Sequence, residues 1–367
     1  MVSYRKPQFF RVMKYAAEAD RDVIDMVSGN PDWDPPDGLR EGLRAYADED
    51  SSAFQYPASH GLRALREEIA ARRGVDVGRV VVTNGAGEAN HLAMAEGLAE
   101  MSGSEVLLTD PVYPYYAGRA NLLNADARFV PVDDQGRLDP ADVRAAASDE
   151  TALIVINSPN NPTGAVYGED RKRALAEVAA DHDALLVSDE VYDHFDYSGR
   201  FASALALDAE NVVVTNAVSK SMAVTGFRVG YGVYPEWLVD AVRTRHMLTN
   251  VTGSRPAQHA VLRALETTRP DYYATTRRML EDRIDAFTDA LDAAGAEYTE
   301  PEGAFYVMAR FDGFPGTYGN VERLIDEAGV AGMPGEAFGE ARGDWFRFAL
   351  VTPRATDAAD RLAEFFA

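Results

Sequence analysis

The stretch ALIVINSPNNPTG, residues 152–164, changes character half-way along. Its first five residues are apolar and mostly β-branched, which is typical of a strand buried on both faces of a sheet. The segment SPNNPTG (158–164) contains two asparagines, two prolines and a terminal glycine, the composition of a tight turn. A buried strand that ends at a polar turn is typical of α/β proteins, which bind ligands at the carboxyl ends of their strands.

Six other short apolar runs have the same character. They are RVVVT (79–83), EVLLT (105–109), ARFVP (127–131), ALLVSD (184–189), NVVVT (211–215) and RVGYGVY (228–234). Helical patterns lie between most of them, as in 61–73, 88–101 and 170–182. Because strands that alternate with helices form βαβ units, the sequence predicts an α/β fold whose large domain has a mostly parallel seven-stranded sheet between helices.

The rest of the chain has a mixed pattern. Helical stretches cover 235–294, and two strand candidates follow, GAFYVMARF (303–311) and WFRFALV (345–351). The first 45 residues carry little pattern, and we expect them to pack onto this part. The sequence therefore predicts a smaller α+β domain built from both chain ends. The predicted boundaries are 46–240 for the large domain, and 1–45 with 241–367 for the small domain.

The composition excludes several kinds of site. The 367 residues contain no cysteine, which rules out disulfides and thiolate metal sites, and we expect no metal. A net charge of −23 argues against a nucleic-acid partner, because phosphate binding needs a basic surface. No stretch approaches the ~20 apolar residues of a membrane helix. The N-terminal segment lacks a signal-peptide core, so we expect a cytoplasmic protein without a membrane partner.

The basic residues are strongly biased toward arginine. Only four of the 36 are lysines: Lys6, Lys14, Lys172 and Lys220. An acidic surface with little lysine indicates adaptation to concentrated salt, where screening weakens like-charge repulsion, although an ordinary acidic enzyme has a similar composition. In such a chain, a lysine between two serines, as Lys220 is, is a candidate for chemistry.

Polar residues follow several predicted strands. Asn161 lies in the turn after 152–157, and Asp189 ends the next strand. A carboxylate at the end of a buried strand is costly unless a cation pairs with it, although Asp also caps helices. The segment NGAGEA (84–89) leads into a helix, and its small residues would let backbone N–H groups approach an anion. Plain turns would explain 84–89 and 158–164 equally well.

The segment NAVSKSMAVTGFRVG (216–230) places Lys220 eight residues before Arg228. A nucleophilic lysine needs a lowered pKa or a carbonyl partner with which it forms a Schiff base. A guanidinium has a planar fork that suits phosphate. A solvated lysine and a salt-bridged arginine are the alternative interpretation.

Taken together, these segments resemble a known family. NPTG (161–164), DEVY (189–192), and SK followed by TGFRVG (219–230) have the order and spacing found in class I and II pyridoxal-phosphate-dependent aminotransferases of fold type I. Similar segments cover nearly the whole chain: SGNPDW (28–33), YPASHGLRALR (56–66), PVYPYY (111–116), GAFY (303–306), PGEAFG (334–339) and FRFAL (346–350).

The resemblance implies the catalytic residues. Lys220 would form a Schiff base with pyridoxal phosphate and afterwards move a proton between substrate and cofactor. Asp189 would pair with the pyridinium nitrogen and keep the ring an electron sink. Asn161 and Tyr192 would hydrogen-bond the phenolic oxygen of the ring.

The resemblance also implies how cofactor and substrate are held. Ser219, Arg228 and the backbone of Ala86 and Gly87 would surround the phosphate. Tyr113 would stack on the ring, unless it only packs.

A neighbouring subunit would complete the site. Tyr56 would reach the phosphate from that subunit, so the resemblance implies a homodimer, unless Tyr56 makes a contact within its own chain. Arg347 would bind the α-carboxylate of the amino-acid or 2-oxo-acid substrate, with Gly29 and Asn161 beside it.

Three residues leave questions open. Ala217 stands where many relatives have a serine, so one phosphate hydroxyl is missing. His60 could line the site or be structural, and Arg255 is a candidate clamp for a substrate side-chain carboxylate. The expected activity is transfer of an amino group between an L-amino acid and a 2-oxo acid. A lyase or decarboxylase on the same fold and a non-catalytic ligand-sensing domain are the alternatives.

Overall fold

The computed structural model describes residues 8–367, and residues 1–7, at the start of the predicted small domain, lie outside the described residues. The helices are α1 (Gln8–Glu18), α2 (Asp37–Ala47), α3 (Arg63–Arg73), α4 (Ala86–Glu100), α5 (Pro114–Leu122), α6 (Pro140–Ala146), α7 (Glu169–Asp181), α8 (Val218–Ser221), α9 (Glu236–Asn250), α10 (Arg255–Thr267), α11 (Pro270–Ala293), α12 (Tyr318–Arg323) and α13 (Ala355–Phe366). Within the described range, no helix combines the length and apolar character needed to cross a membrane.

Thirteen strands occur in the same range and form three sheets. They are β1 (Ile24–Asp25), β2 (Val80–Thr83), β3 (Glu105–Asp110), β4 (Asp126–Pro131), β5 (Thr151–Asn157), β6 (Leu185–Asp189), β7 (Val212–Ala217), β8 (Gly230–Val233), β9 (Glu297–Tyr298), β10 (Tyr306–Arg310), β11 (Val330–Ala331), β12 (Met333–Pro334) and β13 (Phe346–Ala349). The large sheet has the order β2-β8-β7-β6-β5-β3-β4. Only β8 runs antiparallel to its neighbours, so the prediction of a mostly parallel seven-stranded sheet is confirmed.

Helices cover both faces of the large sheet. On one face, Leu92 of α4 and Leu238 of α9 belong to one apolar cluster with Val187 of β6. On the other, Leu175 of α7 belongs to a second cluster with Leu186 of the same strand. Successive residues of β6 therefore face opposite clusters, which explains why the strand is apolar at consecutive positions.

The second sheet is antiparallel, with the order β12-β13-β10-β9, and β1 pairs separately with β11. Its core contains Phe287 of α11, Phe346 of β13 and Leu362 of α13. Val12 of α1 and Ile24 of β1 pack into the same core. Residues from both ends of the chain thus form a second, smaller core beside the large sheet.

The first 45 residues contain two helices, α1 and α2, that the sequence analysis did not predict. α2 packs against α10, and Leu39 and Val261 from this pair join Val82 of β2 in one cluster. A Cβ added to Gly42 would lie 2.8 Å from the Cα of Ala260, so the two backbones approach closely. Because glycine lowers helix propensity, the sequence of α2 did not predict a helix. Gly42 is nevertheless required, because a larger residue would collide with α10.

Three neighbouring strands of the large sheet end with, or lead into, the polar residues that the sequence analysis singled out. β5 ends at Asn157, β6 at Asp189, and β7 leads directly into α8, which carries Lys220. The register pairs Asn157 with Asp189, and Asp189 with Thr215. Because the carboxyl ends of parallel strands share one edge, this topology brings together the turn 158–164, the segment 189–192 and α8.

Candidate active site

A cavity of about 1010 Å³ lies at this edge, between the large sheet and the antiparallel sheet. Eleven residues singled out from the sequence line it: Gly29, Ala86, Gly87, Tyr113, Asn161, Asp189, Tyr192, Ser219, Lys220, Arg228 and Arg347. The structure therefore brings together residues from almost the whole length of the chain.

Three other candidates do not line this cavity. Tyr56 is 81% exposed. Arg255 donates hydrogen bonds to the carbonyl oxygens of Ser52 and Gln55, both at 3.0 Å. Burial lowers the pKa of His60 to about 4, so its ring is neutral at physiological pH. Among these three, no side chain reaches the cavity of its own chain.

Asp189 is buried without a cationic partner among the described residues. Its Oδ2 accepts hydrogen bonds from Asn90 Nδ2 and Tyr116 Oη, both at 2.6 Å, and its Oδ1 accepts one from the backbone N–H of Val191 at 3.1 Å. Burial raises its pKa, and these donors oppose that shift. It forms no ion pair with any residue from 8 to 367. The arrangement suits a ligand that brings a positively charged N–H.

Lys220 projects into the cavity from α8. Its Nζ donates a hydrogen bond to the carbonyl oxygen of Gly29 at 2.7 Å. Burial, followed by the charges of Arg347 and Arg228, lowers its pKa to about 8, against the opposing effect of Asp189. An amine with such a pKa is partly neutral near neutral pH, so it can act as a nucleophile or a base.

Backbone N–H groups and the Arg228 guanidinium lie together at the start of α4. The helix begins at Ala86 after Gly85, which has φ 81° and no side-chain cap, so the first N–H groups have no partner within the helix. The Arg228 guanidinium donates only to the carbonyl oxygens of Thr225 (2.9 Å) and Asn84 (3.0 Å) among the described residues. A Cβ on Gly85 would come within 3.0 Å of that guanidinium, so glycine is required there.

Ser219 of α8 and Ala217, the last residue of β7, both lie at this part of the cavity. Ser219 lines the same cavity, and its hydroxyl has no hydrogen-bond partner within the described range. Ala217 also lines the cavity but offers no hydroxyl. The helix start, Arg228 and Ser219 together have the chemistry that an anion site requires.

Arg347 lies on β13 at the other side of the cavity and is 3% exposed. Its Nη2 donates to the Val27 carbonyl oxygen at 2.5 Å, its Nη1 lies 3.5 Å from Asn161 Oδ1, and its Nε is buried without a partner. Burial lowers its pKa. No carboxylate of residues 8–367 pairs with this guanidinium, so it can receive a carboxylate from a ligand.

Aromatic residues form the wall between Lys220 and Arg347. The hydroxyls of Tyr192 and Tyr306 are 3.0 Å apart, and the Arg347 guanidinium lies 4.6 Å from the centre of the Tyr306 ring. Tyr113 lies with its ring centre 5.9 Å from that of Tyr116, the residue that donates to Asp189. The three tyrosines Tyr113, Tyr192 and Tyr306 therefore enclose the space above the sheet edge.

The sequence analysis missed several residues of this site. Asn90 and Tyr116 hold Asp189, and Thr215 donates to Asn90 Oδ1 at 2.7 Å. Tyr306 lies within the segment GAFY, whose role was left unassigned. Asn90 lies four residues, about one helical turn, after Ala86 of NGAGEA. A helical projection of α4 would therefore have placed the two residues on the same face, toward the cavity.

These residues fit pyridoxal phosphate on three independent features. The buried Asp189, which has no cationic partner, would suit the pyridinium nitrogen, the start of α4 with Arg228 would suit the phosphate, and the amine of Lys220 would suit the aldehyde. By contrast, residues 8–367 contain no group of three or more His, Asp or Glu side chains placed to hold a metal ion.

Comparison with known proteins agrees with this geometry. Residues 21–364 match the family described as aminotransferase class I and II. The chain is 33% identical to a probable aspartate/prephenate aminotransferase of Thermus aquaticus, over 88% of this chain and 86% of that one. It is 30% identical to aromatic-amino-acid aminotransferase 2 of Thermococcus litoralis, over 97% and 95%.

A solved structure gives the same result. Aspartate aminotransferase from Thermus thermophilus with maleate superimposes with a TM-score of 0.91 at 29% identity, covering 99% of this chain and 100% of that one. The comparisons do not favour a lyase, a decarboxylase or a ligand-sensing domain. The chain belongs to the class I and II aminotransferases, and it is a pyridoxal-phosphate-dependent enzyme that moves an amino group between an amino acid and a 2-oxo acid.

Proposed function

We propose that the cavity described above is the active site, and that one set of its residues binds the cofactor while another set binds the substrate. Bound pyridoxal phosphate supplies the electron sink that makes the substrate α-proton acidic. Asp189 would hold the ring nitrogen, and Ser219, Arg228 and the N–H groups of Ala86 and Gly87 would hold the phosphate. Asn161 Nδ2 and Tyr192 Oη, which both face the cavity, would donate to the phenolic oxygen, and Tyr113 would stack on the ring.

Lys220 would carry the proton. Its amine lies beside the backbone of Gly29, and burial together with the charges of Arg347 and Arg228 lowers its pKa, so the neutral form is more populated than in a solvated lysine. In that form, Nζ can take a proton from the substrate α-carbon and return it to another atom. Tyr192 and Tyr306, hydrogen-bonded to each other nearby, would exclude water from this step.

Arg347 would orient the substrate. A buried guanidinium without a carboxylate partner is costly, and a substrate α-carboxylate would restore the missing interaction as a two-point ion pair. Asn161 Oδ1 lies 3.5 Å from Arg347 Nη1, and Gly29, which accepts a hydrogen bond from Lys220, lines the same cavity. The observation that carries the proposal is that two buried basic side chains, Lys220 and Arg347, line one cavity and neither forms an ion pair with a carboxylate of residues 8–367.

The deciding experiment is a visible spectrum of the purified enzyme during addition of single amino acids and then 2-oxoglutarate. We expect the cofactor absorbance to change with the true donor and to return with the 2-oxo acid. Lys220→Ala should abolish turnover, whereas Lys14→Ala, which removes a lysine 70% exposed in its side chain, should not. Turnover by Lys220→Ala would contradict the proposal, and failure of 2-oxoglutarate to restore the spectrum would favour lyase chemistry.

The similar proteins suggest aspartate or an aromatic amino acid as donor. For a dicarboxylate, we propose that Arg255 of a neighbouring subunit binds the side-chain carboxylate. Arg255→Ala should then raise the KM for aspartate and leave that for neutral amino acids unchanged. An equal rise for both classes would rule Arg255 out as a specific clamp.

The homodimer is part of the proposal. The exposed Tyr56 does not line the cavity of its own chain, and Phe54, Leu248 and Val251 are further exposed apolar side chains. A second subunit that covered them would bring Tyr56 toward the phosphate of its partner. Tyr56→Phe should therefore weaken cofactor binding without changing the fold.

Three broader proposals rest on composition and packing. The −23 charge with four lysines supports adaptation to concentrated salt, and the lack of cysteine is compatible with a cytoplasmic location. For the domains, the sequence suggested 46–240 against 1–45 with 241–367. Because α2, α9 and α10 share clusters with strands of the large sheet, we propose boundaries closer to 33 and 268.

A further inference from the structure

Arg119 is a cation of the cavity to which no role has been assigned. It lies on α5 and lines the cavity together with Arg228 and Arg347. Within residues 8–367 its guanidinium forms no ion pair and no hydrogen bond, and its nearest described aromatic contact is the ring of Tyr115, 6.0 Å away. In a chain with 59 acidic residues, an arginine without any carboxylate partner needs an explanation.

The position of Arg119 is on the phosphate side of the cavity. Its Nη2 would lie 3.1 Å from a Cβ placed on Gly87, so the guanidinium sits against the first turn of α4. The first turn of α4 is also the start of the proposed phosphate site, so Arg119 lies beside that site.

A phosphate at this site needs more positive charge than Arg228 supplies. A phosphate monoester carries close to two negative charges at neutral pH, and the start of a helix contributes about half a positive charge. Ala217 offers no hydroxyl, and Gly87 has no side chain. The space that a side chain at position 87 would fill is the space that Arg119 approaches.

We propose that Arg119 is a phosphate-binding residue of this enzyme, which grips the cofactor phosphate from the α5 side while Arg228 grips it from the β8 side. This inference rests on the proposed cofactor site. The competing role for the same guanidinium is to bind a side-chain carboxylate of the substrate. The two roles are separable, because the first concerns the cofactor without any substrate present.

The test measures cofactor binding by the apo-enzyme, not activity. Arg119→Met should raise the dissociation constant for pyridoxal phosphate roughly 10- to 100-fold, the change given by loss of one charge-assisted hydrogen bond. The dissociation constant for pyridoxal, which lacks the phosphate, should not change. Arg119→Lys should fall between Arg119→Met and wild type, because it keeps the charge but loses the fork.

A matched control removes one positive charge elsewhere. Arg269 has a side chain 83% exposed and does not line the cavity, so Arg269→Met should bind both compounds as the wild type does. An unchanged dissociation constant for pyridoxal phosphate in Arg119→Met would overturn the inference, as would an equal weakening for pyridoxal. A rise confined to the KM for aspartate would assign Arg119 to the substrate instead.

The outcomes also separate this inference from the proposed function. If the wild type binds pyridoxal phosphate and Lys220→Ala is inactive, the active site stands whatever Arg119→Met does. If the wild type prefers pyridoxal phosphate no more than pyridoxal, the anion site itself is wrong, and the inference fails with it.

Discussion

Gly29→Ala tests the most crowded point of the site. A Cβ at this position would lie less than 3.0 Å from Tyr306 Oη, 3.3 Å from Tyr306 Cζ and 3.6 Å from Lys220 Nζ. Gly29 has no positive φ, so the backbone tolerates alanine and the steric conflict is with Tyr306. Tyr306 cannot easily move, because it is 2% exposed and its hydroxyl is bound to that of Tyr192.

The size of the effect follows from this geometry. An extra methyl in a closely packed site costs about 1 to 3 kcal/mol. Tyr306→Phe alone loses the hydroxyl contact with Tyr192, about 1 kcal/mol. In the double variant the nearest atom of the ring is the one corresponding to Cζ, at 3.3 Å, which is tight but tolerable. The double variant should therefore cost about as much as Tyr306→Phe alone, a coupling of about 1 to 3 kcal/mol.

The assay is a double-mutant cycle, read from the midpoint of urea unfolding and from kcat/KM. We expect kcat/KM to fall in Gly29→Ala and to recover in part when Tyr306→Phe is added. Gly118→Ala is the control, because a Cβ there has nothing within 4 Å and alanine is a better helix residue than glycine. Additive effects of the two changes, or an unaltered Gly29→Ala enzyme, would refute the argument.

Three further predictions concern charged groups. Lys172→Met leaves the buried Glu190 without its ammonium and should cost about 3 to 5 kcal/mol in unfolding free energy, with recovery in Lys172→Met/Glu190→Gln. Since the Lys220 pKa is lowered to about 8 from 10.5, capture of an aldehyde by the apo-enzyme should accelerate as pH rises through about 8. The free energy of unfolding of the apo-enzyme should rise from about pH 8 to 10.5, because Lys220 keeps its proton to higher pH in the unfolded chain than in the folded one. Lys220→Met should remove both trends. Arg347→Lys should raise the KM for amino acids roughly 10-fold or more with a smaller change in kcat, because an ammonium cannot match the carboxylate at two points; an unchanged KM would exclude it from substrate binding.

The seven large-sheet strands could be predicted because their signal is local. Most are short apolar runs buried on both faces, with flanking turns that mark their ends, whereas β4 at the edge of the sheet is largely exposed. The direction of β8 is a different matter. Between Ala217 and Gly230 lie only α8, a helix of four residues, and a short 3-10 turn, so the connection is too short for the usual parallel crossover. The antiparallel direction of β8 can therefore be predicted from the sequence only when it is known that no helix of ordinary length lies between β7 and β8.

The partners of Asp189 were not predictable in the same way. Asn90 and Tyr116 look like ordinary helical residues until α4 and α5 are placed against the ends of β6 and β7. The same holds for Arg119, which is one of many arginines in the sequence and becomes notable only when no carboxylate is found beside it. Tyr56 shows the opposite limit: it is 81% exposed and does not line the cavity of its own chain, so the role that we propose for it in a neighbouring subunit cannot be read from one chain.

The two interior lysines qualify the argument from composition. Lys172 and Lys220 both persist in a chain that otherwise uses arginine, but their surroundings are opposite. The Lys172 ammonium lies 2.9 Å from Glu190 Oε1 and 4.4 Å from the centre of the Phe201 ring, with the pair fully buried, and it thereby fixes the residue next to Asp189. Lys220 has a carbonyl oxygen and two guanidiniums as neighbours and no carboxylate in an ion pair. Scarcity of lysine alone does not identify a reactive position, because Lys14 has a side chain that is 70% exposed. Between the two buried lysines, the carboxylate partner of Lys172 indicates a structural role, and the lack of one at Lys220 supports the nucleophilic role that we propose for it.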